Sequence, residues 1–381
     1  MSPRCAPSRL RPALELADVV RAYGPTFVQS RVLRPEQRAA LRDIERCRTA
    51  VLGGHLDVCT ACGHEQPSYN SCRNRHCPKC QSLAQARWID KRALRLLPVH
   101  YFHVVFTMPA ELRAVVRRHR ERCFDLLFAA ASATLTELAR DPKRLGAELG
   151  VTMVLHTWTR ELLFHPHVHA IVTGGGLADD DARWLPTRKA FLFPVRVMGA
   201  LFRGKMLDAL ERAHARGLID VSQVDLRALR KRSWIVYAKR PFGGPEQVLR
   251  YLGRYTHRVG ISNQRLVAMD ASGVTFRTKD GRSVTVPGDE MLARFVEHVL
   301  PPHFVKIRHY GLHSSTHATT RLARARQLLP PLVVKARDED TDWRALLLRL
   351  TGEDVRVCPR CDQLAVVRTA LPTARAPPEA T

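Results

Sequence analysis

The chain has 381 residues and 45% of them are apolar, which excludes a disordered chain and allows about two or three globular domains. Lysine and arginine number 61 and acidic residues 36, so the formal net charge is +25 and the isoelectric point is near 10.5. Because so large a charge repels itself, the composition favours a polyanionic partner, and we expect that partner to be nucleic acid.

The N-terminal region, residues 1–50, is predicted to be helical. Pro12 precedes an apolar periodic run, and Pro35 suits the first turn of a second helix that extends to Arg46. Residues 1–16 have no continuous apolar stretch, and no run of about 18 apolar residues occurs, so neither a signal peptide nor a membrane span is expected. We therefore expect a cytoplasmic protein whose cysteines are reduced and bind metal rather than form disulfides.

Residues 51–97 are predicted to form a small zinc-ribbon or knuckle module. Two Cys-x2-Cys pairs, Cys59/Cys62 and Cys77/Cys80, are separated by 14 residues, and Gly63 supplies a permissive turn after the first pair. These four thiolates are expected to close one tetrahedral, structural Zn²⁺ site. Other residues close enough in sequence to replace one of the four are Cys72, His55, His64 and His76.

Basic and aromatic side chains surround this module and predict a DNA-contacting surface. Cations are suited to phosphates, and rings such as those of Tyr69 and Trp88 can stack on bases. The predicted phosphate contacts are Arg73, Arg75 and Lys79. A basic amphipathic helix is expected to follow over residues 82–97.

Residues 98–330 are predicted to form the main domain, with mixed strands and helices. The predicted strands lie at 99–108, at 151–159, immediately after Pro166, at 191–197, at 234–238 and within 259–287. The predicted helices lie at 110–140, 199–216 and 289–300. The polar pair Arg160-Glu161 is expected to turn the chain, so that the strand at 151–159 forms a hairpin with the next strand.

The strand after Pro166 contains two histidines with strand spacing. Since alternate strand residues face the same side, His167 and His169 project together and can bind one divalent metal. His165 has the same parity and is an alternative to either ligand. The candidates for a third ligand are His156, Glu161, His257 and Asn263.

A further helix is predicted after Gly243 and Gly244, because Pro245 suits a first helical position and the following apolar residues recur with a helical period. Tyr251 and Tyr255 are four residues apart and share one face of this helix. The adjacent arginines at the same spacing are Arg250, Arg254 and Arg258. The two tyrosines fit the spacing of an apolar helix face that packs into a core, which would be a structural role. The alternative is that a phenol attacks a phosphodiester, helped by guanidinium groups that lower the cost of forming phenolate.

The C-terminal region, residues 331–381, is predicted to contain a helix at 340–350 and a tail with one cysteine pair. Cys358 and Cys361 form a lone Cys-x2-Cys pair, followed by Asp362 where a knuckle would have glycine. Two thiolates cannot complete a zinc site. This pair therefore either borrows ligands from elsewhere or is a remnant.

Several of these motifs occur together in the order of one known family. They are CTACGH at 59–64, NSCRNRHCPKCQ at 70–81, HVVFTMP at 103–109, HTWTRELLFHPHVHAIVTGGGL at 156–177, YLGRYTHRVGISNQRL at 251–266 and IRHYGL at 307–312. The chain resembles the HUH superfamily of single-strand DNA endonucleases. More closely, it resembles the two-tyrosine rolling-circle transposases of bacterial insertion sequences.

The resemblance implies an α+β fold with an HUH-type central antiparallel sheet, flanking helices and an N-terminal zinc module. It also implies a bacterial enzyme that nicks and rejoins single-stranded DNA at insertion-sequence ends. Mg²⁺ or Mn²⁺ would be held by His167, His169 and a third ligand. Tyr251 or Tyr255 would attack the scissile phosphate to form a 5′-phosphotyrosyl enzyme, and the other tyrosine would act on a second strand.

Two functions from other classes explain part of the sequence. A non-enzymatic, zinc-dependent DNA-binding regulator accounts for the charge and the cysteines, but gives the histidine pair and the tyrosines no role. A metallohydrolase accounts for the histidines, but not for the tyrosine helix. Covalent attachment of DNA to the protein would distinguish the transposase from both.

Overall fold

The structure is a computed structural model that describes residues 12–242, 247, 248, 251, 253, 260–278, 280–331, 342–371 and 373. Its helices are α1 Leu16–Ser30, α2 Pro35–Arg46, α3 Ser82–Ala93, α4 Arg113–Arg118, α5 Arg120–Arg140, α6 Val195–Ala215, α7 Leu226–Lys231, α8 Gly288–Val296, α9 Arg321–Gln327 and α10 Trp343–Thr351. Its strands are β1 Gly54–Cys59, β2 Glu65–Tyr69, β3 Tyr101–Thr107, β4 Ala147–Trp158, β5 Phe164–Ala178, β6 Trp184–Pro186, β7 Val236–Phe242, β8 Leu266–Asp270, β9 Gly273–Arg277, β10 Ser283–Val286, β11 Ile307–Gly311 and β12 Val366–Leu371. None of the helices in these ranges is long and apolar enough to cross a membrane.

The largest sheet is antiparallel and has the strand order β11-β4-β5-β3-β7, with β6 paired to one end of β5. The predicted hairpin is present, because β4 and β5 pair directly along most of their length. The strand with the predicted histidines, β5, therefore lies in the middle of the sheet. The prediction of an α+β fold with a central antiparallel sheet and flanking helices is confirmed.

One face of this sheet packs against α5 and α6 and forms the main core. The side chains of Phe102, Val104 and Phe106 on β3 point into this core, as do alternate residues of β4 and β5. The ring of Phe106 packs against that of Phe202 on α6, with 5.1 Å between centroids. Because strand residues alternate, the intervening residues of β3, β4 and β5 face the opposite side of the sheet.

A second core joins the N-terminal helices to a later part of the chain. Apolar side chains of α1 and α2, among them Phe27 and Ile44, pack with Phe276 of β9 and Phe295 of α8. A separate three-stranded sheet, β12-β1-β2, combines residues of the predicted zinc module with residues of the C-terminal region. Contacts between distant parts of the sequence thus hold the N-terminal regions in place.

Two local predictions were wrong. No strand covers 191–197. Phe191 forms one isolated bridge, Leu192 and Phe193 are buried in the main core, and α6 begins at Val195 directly after Pro194. A short apolar run does not distinguish a strand from a buried loop. In addition, β5 begins at Phe164 rather than after Pro166. The register of β4 against β5 shifts at this point, and such an irregularity accommodates a proline that has no N–H to donate.

His298, just after α8, links the second core to the β4–β5 turn and should make the fold sensitive to acid. Its Nε2 donates to the carbonyl of Leu162 at 2.9 Å, and its Nδ1 lies 3.1 Å from the hydroxyl of Thr157. Burial lowers the pKa of this imidazole to about 3. The unfolded chain, with a pKa near 6.5, binds more protons between these two values. The stability that depends on neutral His298 is therefore complete above about pH 6.5 and declines as the pH falls toward 3.

We expect the free energy of unfolding of His298→Gln to fall less steeply than that of the wild type between pH 6.5 and pH 4. Chemical denaturation at several pH values measures this slope, and any offset at pH 7 does not affect the comparison. His303→Gln is the control, because His303 is exposed, and it should keep the wild-type slope. Equal slopes for His298→Gln and the wild type would contradict the prediction.

Candidate active site

Three histidines converge on the face of the sheet opposite the main core. His156 on β4 lies opposite His167 on β5 in the strand register, and His169 is two residues further along. One ring nitrogen of each lies within 4.8 Å of those of the other two, which is close enough to hold one metal ion. Of the three candidate third ligands that the structure describes, His156 is the one that lies with His167 and His169.

The backbone of β5 sets the tautomer of His167. Its Nδ1 lies 2.7 Å from the carbonyl oxygen of His165, and a carbonyl can only accept, so Nδ1 carries the proton. The lone pair of Nε2 is then available to a metal, an arrangement typical of metal-binding histidines. Burial lowers the pKa of His167 to about 4, so the ring is neutral near pH 7, as a ligand must be.

His165 has a different environment from the other two histidines of its strand. Its ring is not part of the converging group of three, and its Nδ1 lies 3.4 Å from a guanidinium nitrogen of Arg113. Burial and then Arg113 lower the pKa of His165. Its carbonyl rather than its ring contributes to the site, because it orients His167.

Tyr251 lies beside the histidine group, and His103 connects the two. The Tyr251 hydroxyl is 2.7 Å from Nε2 of His103 and 3.3 Å from Nδ1 of His169, and these two nitrogens are 2.8 Å apart. The Tyr251 ring packs against an apolar cluster that includes Val248 and Ile171. One of the two predicted tyrosines is therefore in hydrogen-bond contact with the predicted histidine site.

His103 was not assigned a role from the sequence, although it opens the HVVFTMP motif. It lies on β3 and is buried. Burial is the main cause that lowers its pKa to about 3, and Lys239, opposite it on β7, contributes further. A neutral His103 can accept a hydrogen bond from the Tyr251 hydroxyl. A single histidine in a buried strand has no partner at a characteristic spacing, so the sequence does not mark it as a site residue. Its approach to His169 depends on the register between β3 and β5, which cannot be read from the sequence.

The remaining predicted residues of the tyrosine helix, Tyr255, Arg250, Arg254 and Arg258, lie outside the described residues, as does His257. The other two candidate metal ligands are elsewhere. The side-chain oxygen of Asn263 accepts a hydrogen bond from the backbone N–H of Leu16 at 3.1 Å, where α1 begins. Glu161 lies in the turn between β4 and β5.

The cysteines form two groups of four rather than the single site predicted. Cys77 and Cys80 converge with Cys47 and Cys72, and Cys59 and Cys62 converge with Cys358 and Cys361. The prediction that Cys59, Cys62, Cys77 and Cys80 close one site was wrong because β1 pairs with β12, which brings the C-terminal cysteines to Cys59 and Cys62. Cys47 has no second cysteine within a few residues, so the sequence did not identify it as a metal ligand.

The three predicted phosphate contacts of the zinc module differ in their surroundings. Arg73 is exposed. The guanidinium of Arg75 donates to the backbone carbonyls of Phe304 and Pro301 at 2.7 and 2.8 Å, and Lys79 forms an ion pair with Glu15. Of the three, Arg73 is thus the side chain most available to a phosphate, while the other two join the module to neighbouring parts of the protein.

Comparisons with known proteins match most of the chain. Residues 150–320 match the family model described as "Putative transposase", and residues 19–108 match the "Transposase zinc-binding domain". The chain is 44% identical over 371 residues to "Putative transposase y4qJ" of Sinorhizobium fredii, an alignment that covers 92% of this chain and 93% of that protein. It is 31% identical over 303 residues to the transposase for insertion sequence element IS801 of Pseudomonas savastanoi, with 72% of each chain covered. No solved structure gives a significant match.

Metal binding by the three histidines can be tested directly. We expect the zinc-loaded wild type to bind one further Mn²⁺ ion, and His156→Ala/His167→Ala to bind it at least about 10²-fold more weakly, because two of three ligands are lost. Isothermal titration calorimetry or Mn²⁺ electron paramagnetic resonance measures the affinity.

His309→Ala is the matched control for this experiment. His309 lies on β11 of the same sheet, and its Nδ1 is 3.0 Å from the hydroxyl of Thr152, but it is not part of the converging group. It should bind Mn²⁺ as the wild type does. Unchanged affinity in the His156/His167 variant would show that the metal site lies elsewhere.

Proposed function

This chain belongs to the transposase family that includes the IS801 transposase, and from that premise we propose that it nicks and rejoins single-stranded DNA at insertion-sequence ends through attack by Tyr251. The observation that carries the proposal is the position of the Tyr251 hydroxyl, 2.7 Å from His103 and 3.3 Å from His169. A nucleophile must lie close to the groups that bind the reacting phosphate.

The donors of His156, His167 and His169 fit a divalent metal, which we propose to be Mg²⁺ or Mn²⁺. Three imidazoles on two paired strands leave coordination positions for phosphate oxygens and water, as a catalytic rather than a structural site requires. When bound, such an ion polarises the scissile phosphate and offsets the negative charge that develops there. The four-cysteine group within the matched zinc-binding domain, Cys47, Cys72, Cys77 and Cys80, has no open position of this kind and fits structural Zn²⁺.

His103 is proposed to hold the Tyr251 hydroxyl and to receive its proton. Burial keeps the imidazole of His103 neutral, so that Nε2 can accept the hydrogen bond. A DNA phosphate in the site brings negative charge, which favours the protonated ring and makes Nε2 a better proton acceptor. The phenolate oxygen then forms a bond to phosphorus while the P–O3′ bond breaks. The departing 3′ oxygen takes up the proton that His103 received, and the products are a 5′-phosphotyrosyl enzyme and a free 3′-hydroxyl.

Cations near the site are proposed to bind the DNA backbone. Lys239, exposed on β7, lies across from His103, and Arg113 lies beside His165. We assign the same role to the sequence-predicted arginines Arg250, Arg254 and Arg258. Phosphate contacts of this kind position a strand without reading its sequence.

Tyr255 is proposed to act on the second strand, because it follows Tyr251 by one helical turn. Each cleaved phosphodiester would be kept as a phosphotyrosine, so that a 3′-hydroxyl can later attack it and rejoin the strands without an external energy source. This is the rolling-circle scheme in which two tyrosines alternate.

The test is covalent capture of a labelled oligonucleotide. In the presence of Mn²⁺, a single-stranded oligonucleotide carrying the element end should become attached to the wild-type protein through its 5′ phosphate. Tyr251→Phe/Tyr255→Phe should lower the yield of this product on the order of 10³-fold or more, because no nucleophile remains. Denaturing gel electrophoresis and peptide mass spectrometry identify the adduct, and the single variants show which tyrosine cuts first.

Tyr237→Phe is the matched control, since Tyr237 is an exposed tyrosine on β7 of the same sheet. It should form the adduct at the wild-type rate. A protein that cuts the oligonucleotide but never becomes attached to it would be a hydrolase, and one that binds without cutting would be a regulator. Either result would overturn the proposal.

A further inference from the structure

The second cysteine group, Cys59, Cys62, Cys358 and Cys361, lies at two turns that are more than 290 residues apart in the sequence. In the first turn the N–H of Cys59 donates to the carbonyl of His64, and the N–H of Gly63 donates to the carbonyl of Cys59, both at 2.9 Å. Gly63 has a φ of 70°, the left-handed conformation that such a turn needs.

The second turn repeats this arrangement. The N–H of Cys358 donates to the carbonyl of Gln363, and the N–H of Asp362 donates to the carbonyl of Cys358, again at 2.9 Å. Asp362 has a φ of 56°, and aspartate is among the residues that tolerate the left-handed region. The absence of a glycine after Cys361 therefore does not prevent a metal-binding turn.

The sulfur atoms of the two turns have the spacing of a tetrahedral metal site. The Sγ atoms of Cys59 and Cys361 are 3.6 Å apart, and those of Cys62 and Cys358 are 3.7 Å apart. Zinc–sulfur bonds of about 2.3 Å in a tetrahedron place the sulfurs about 3.8 Å apart, whereas a disulfide requires about 2.05 Å. We propose that these four cysteines bind a second Zn²⁺ ion that joins the turn after β1 to the turn before β12.

This ion would be separate from the one expected in the N-terminal zinc-binding domain. The residues that match that domain, 19–108, contain all of Cys47, Cys72, Cys77 and Cys80, which form a complete group of four. They contain only half of the second group. The second site forms only when the C-terminal segment returns to β1.

The segment that the ion would hold has little core of its own. Every residue of β2 is exposed, and β12 is only partly buried. Polar contacts assist the pairing of β1 with β12: Arg368 binds both carboxylate oxygens of Asp57, at 2.5 and 2.8 Å, and also lies over the ring of Trp343. A small sheet without a sufficient core usually needs a metal, whose binding energy then becomes folding energy.

The clasp, defined as these four cysteines with their two turns, also fixes the position of α10. This helix contacts α3, where Arg349 forms an ion pair with Asp90. Loss of the clasp should therefore release residues 342–371 from both β1 and α3. The rest of the protein, with its own two cores, should remain folded.

The zinc content of the purified protein tests the proposal. We expect two Zn²⁺ ions per wild-type chain by native mass spectrometry or elemental analysis, and one in Cys358→Ser/Cys361→Ser. Cys123→Ala, which alters a buried cysteine outside both groups, should keep two. A wild type with one ion, or a Cys358/Cys361 variant with two, would overturn the proposal.

A labelling experiment on the wild type tests the proposal even if Cys358→Ser/Cys361→Ser does not fold. Cys62 is exposed and Cys361 half-buried, so a thiol reagent should reach both. With zinc bound they should react slowly. After mild chelation they should react at least about tenfold faster, while protease cleavage appears within residues 342–371. Equal labelling rates before and after chelation would show that no metal is bound there.

Discussion

The antiparallel pairing of β4 with β5 is the constraint on which the site depends. It places His156 opposite His167 and next to His169 on one face of the sheet. On the other face, Met153, Leu155 and Val168 are buried against α5 and α6. A slip of one residue would turn these apolar side chains toward the histidine side and the histidines toward the core. The hydrophobic core therefore fixes the register, and the register brings the three proposed metal ligands together.

Burial then determines the protonation of two histidines of the site, His103 and His167. The chain has a net charge of +25, and a cluster of protonated imidazoles would add to its repulsion. Burial lowers the pKa values of His103 and His167 to about 3 and 4, so both rings are neutral near pH 7. The site can therefore accept a cation without repelling it, and the negative charge of a DNA phosphate can in turn favour a proton on His103. The same desolvation supports both the ligand and the acceptor roles.

The sequence allowed the local features of the site to be predicted, but not those that depend on long-range pairing. Strand parity predicts that His167 and His169 share a face, and helical spacing places Tyr251 beside arginines, whereas their metal-binding and nucleophilic roles are predictions that rest on the family resemblance. The third histidine required the register of β4 against β5, which contains two irregularities. The cysteine pairing failed for a similar reason: short spacing favoured Cys59 with Cys77, whereas β1 pairs with β12 at the far end of the chain. Backbone pairing over hundreds of residues leaves no periodic pattern to detect.

Helix α3 connects the first cysteine group, which contains Cys80, to the backbone beside Tyr251, the proposed nucleophile. It begins at Ser82, two residues after Cys80, so the metal-binding turn sets where the helix starts. On its other side, Ile89 approaches Gly253 so closely that a Cβ atom there would lie 2.6 Å from the Ile89 side chain. Gly253 is two residues after Tyr251. Glycine at this position lets the backbone beside Tyr251 lie against the end of the Ile89 side chain. The part of the chain that matches the zinc-binding domain therefore also supplies a surface beside Tyr251, since Trp88 of α3 packs against the same apolar cluster as the Tyr251 ring.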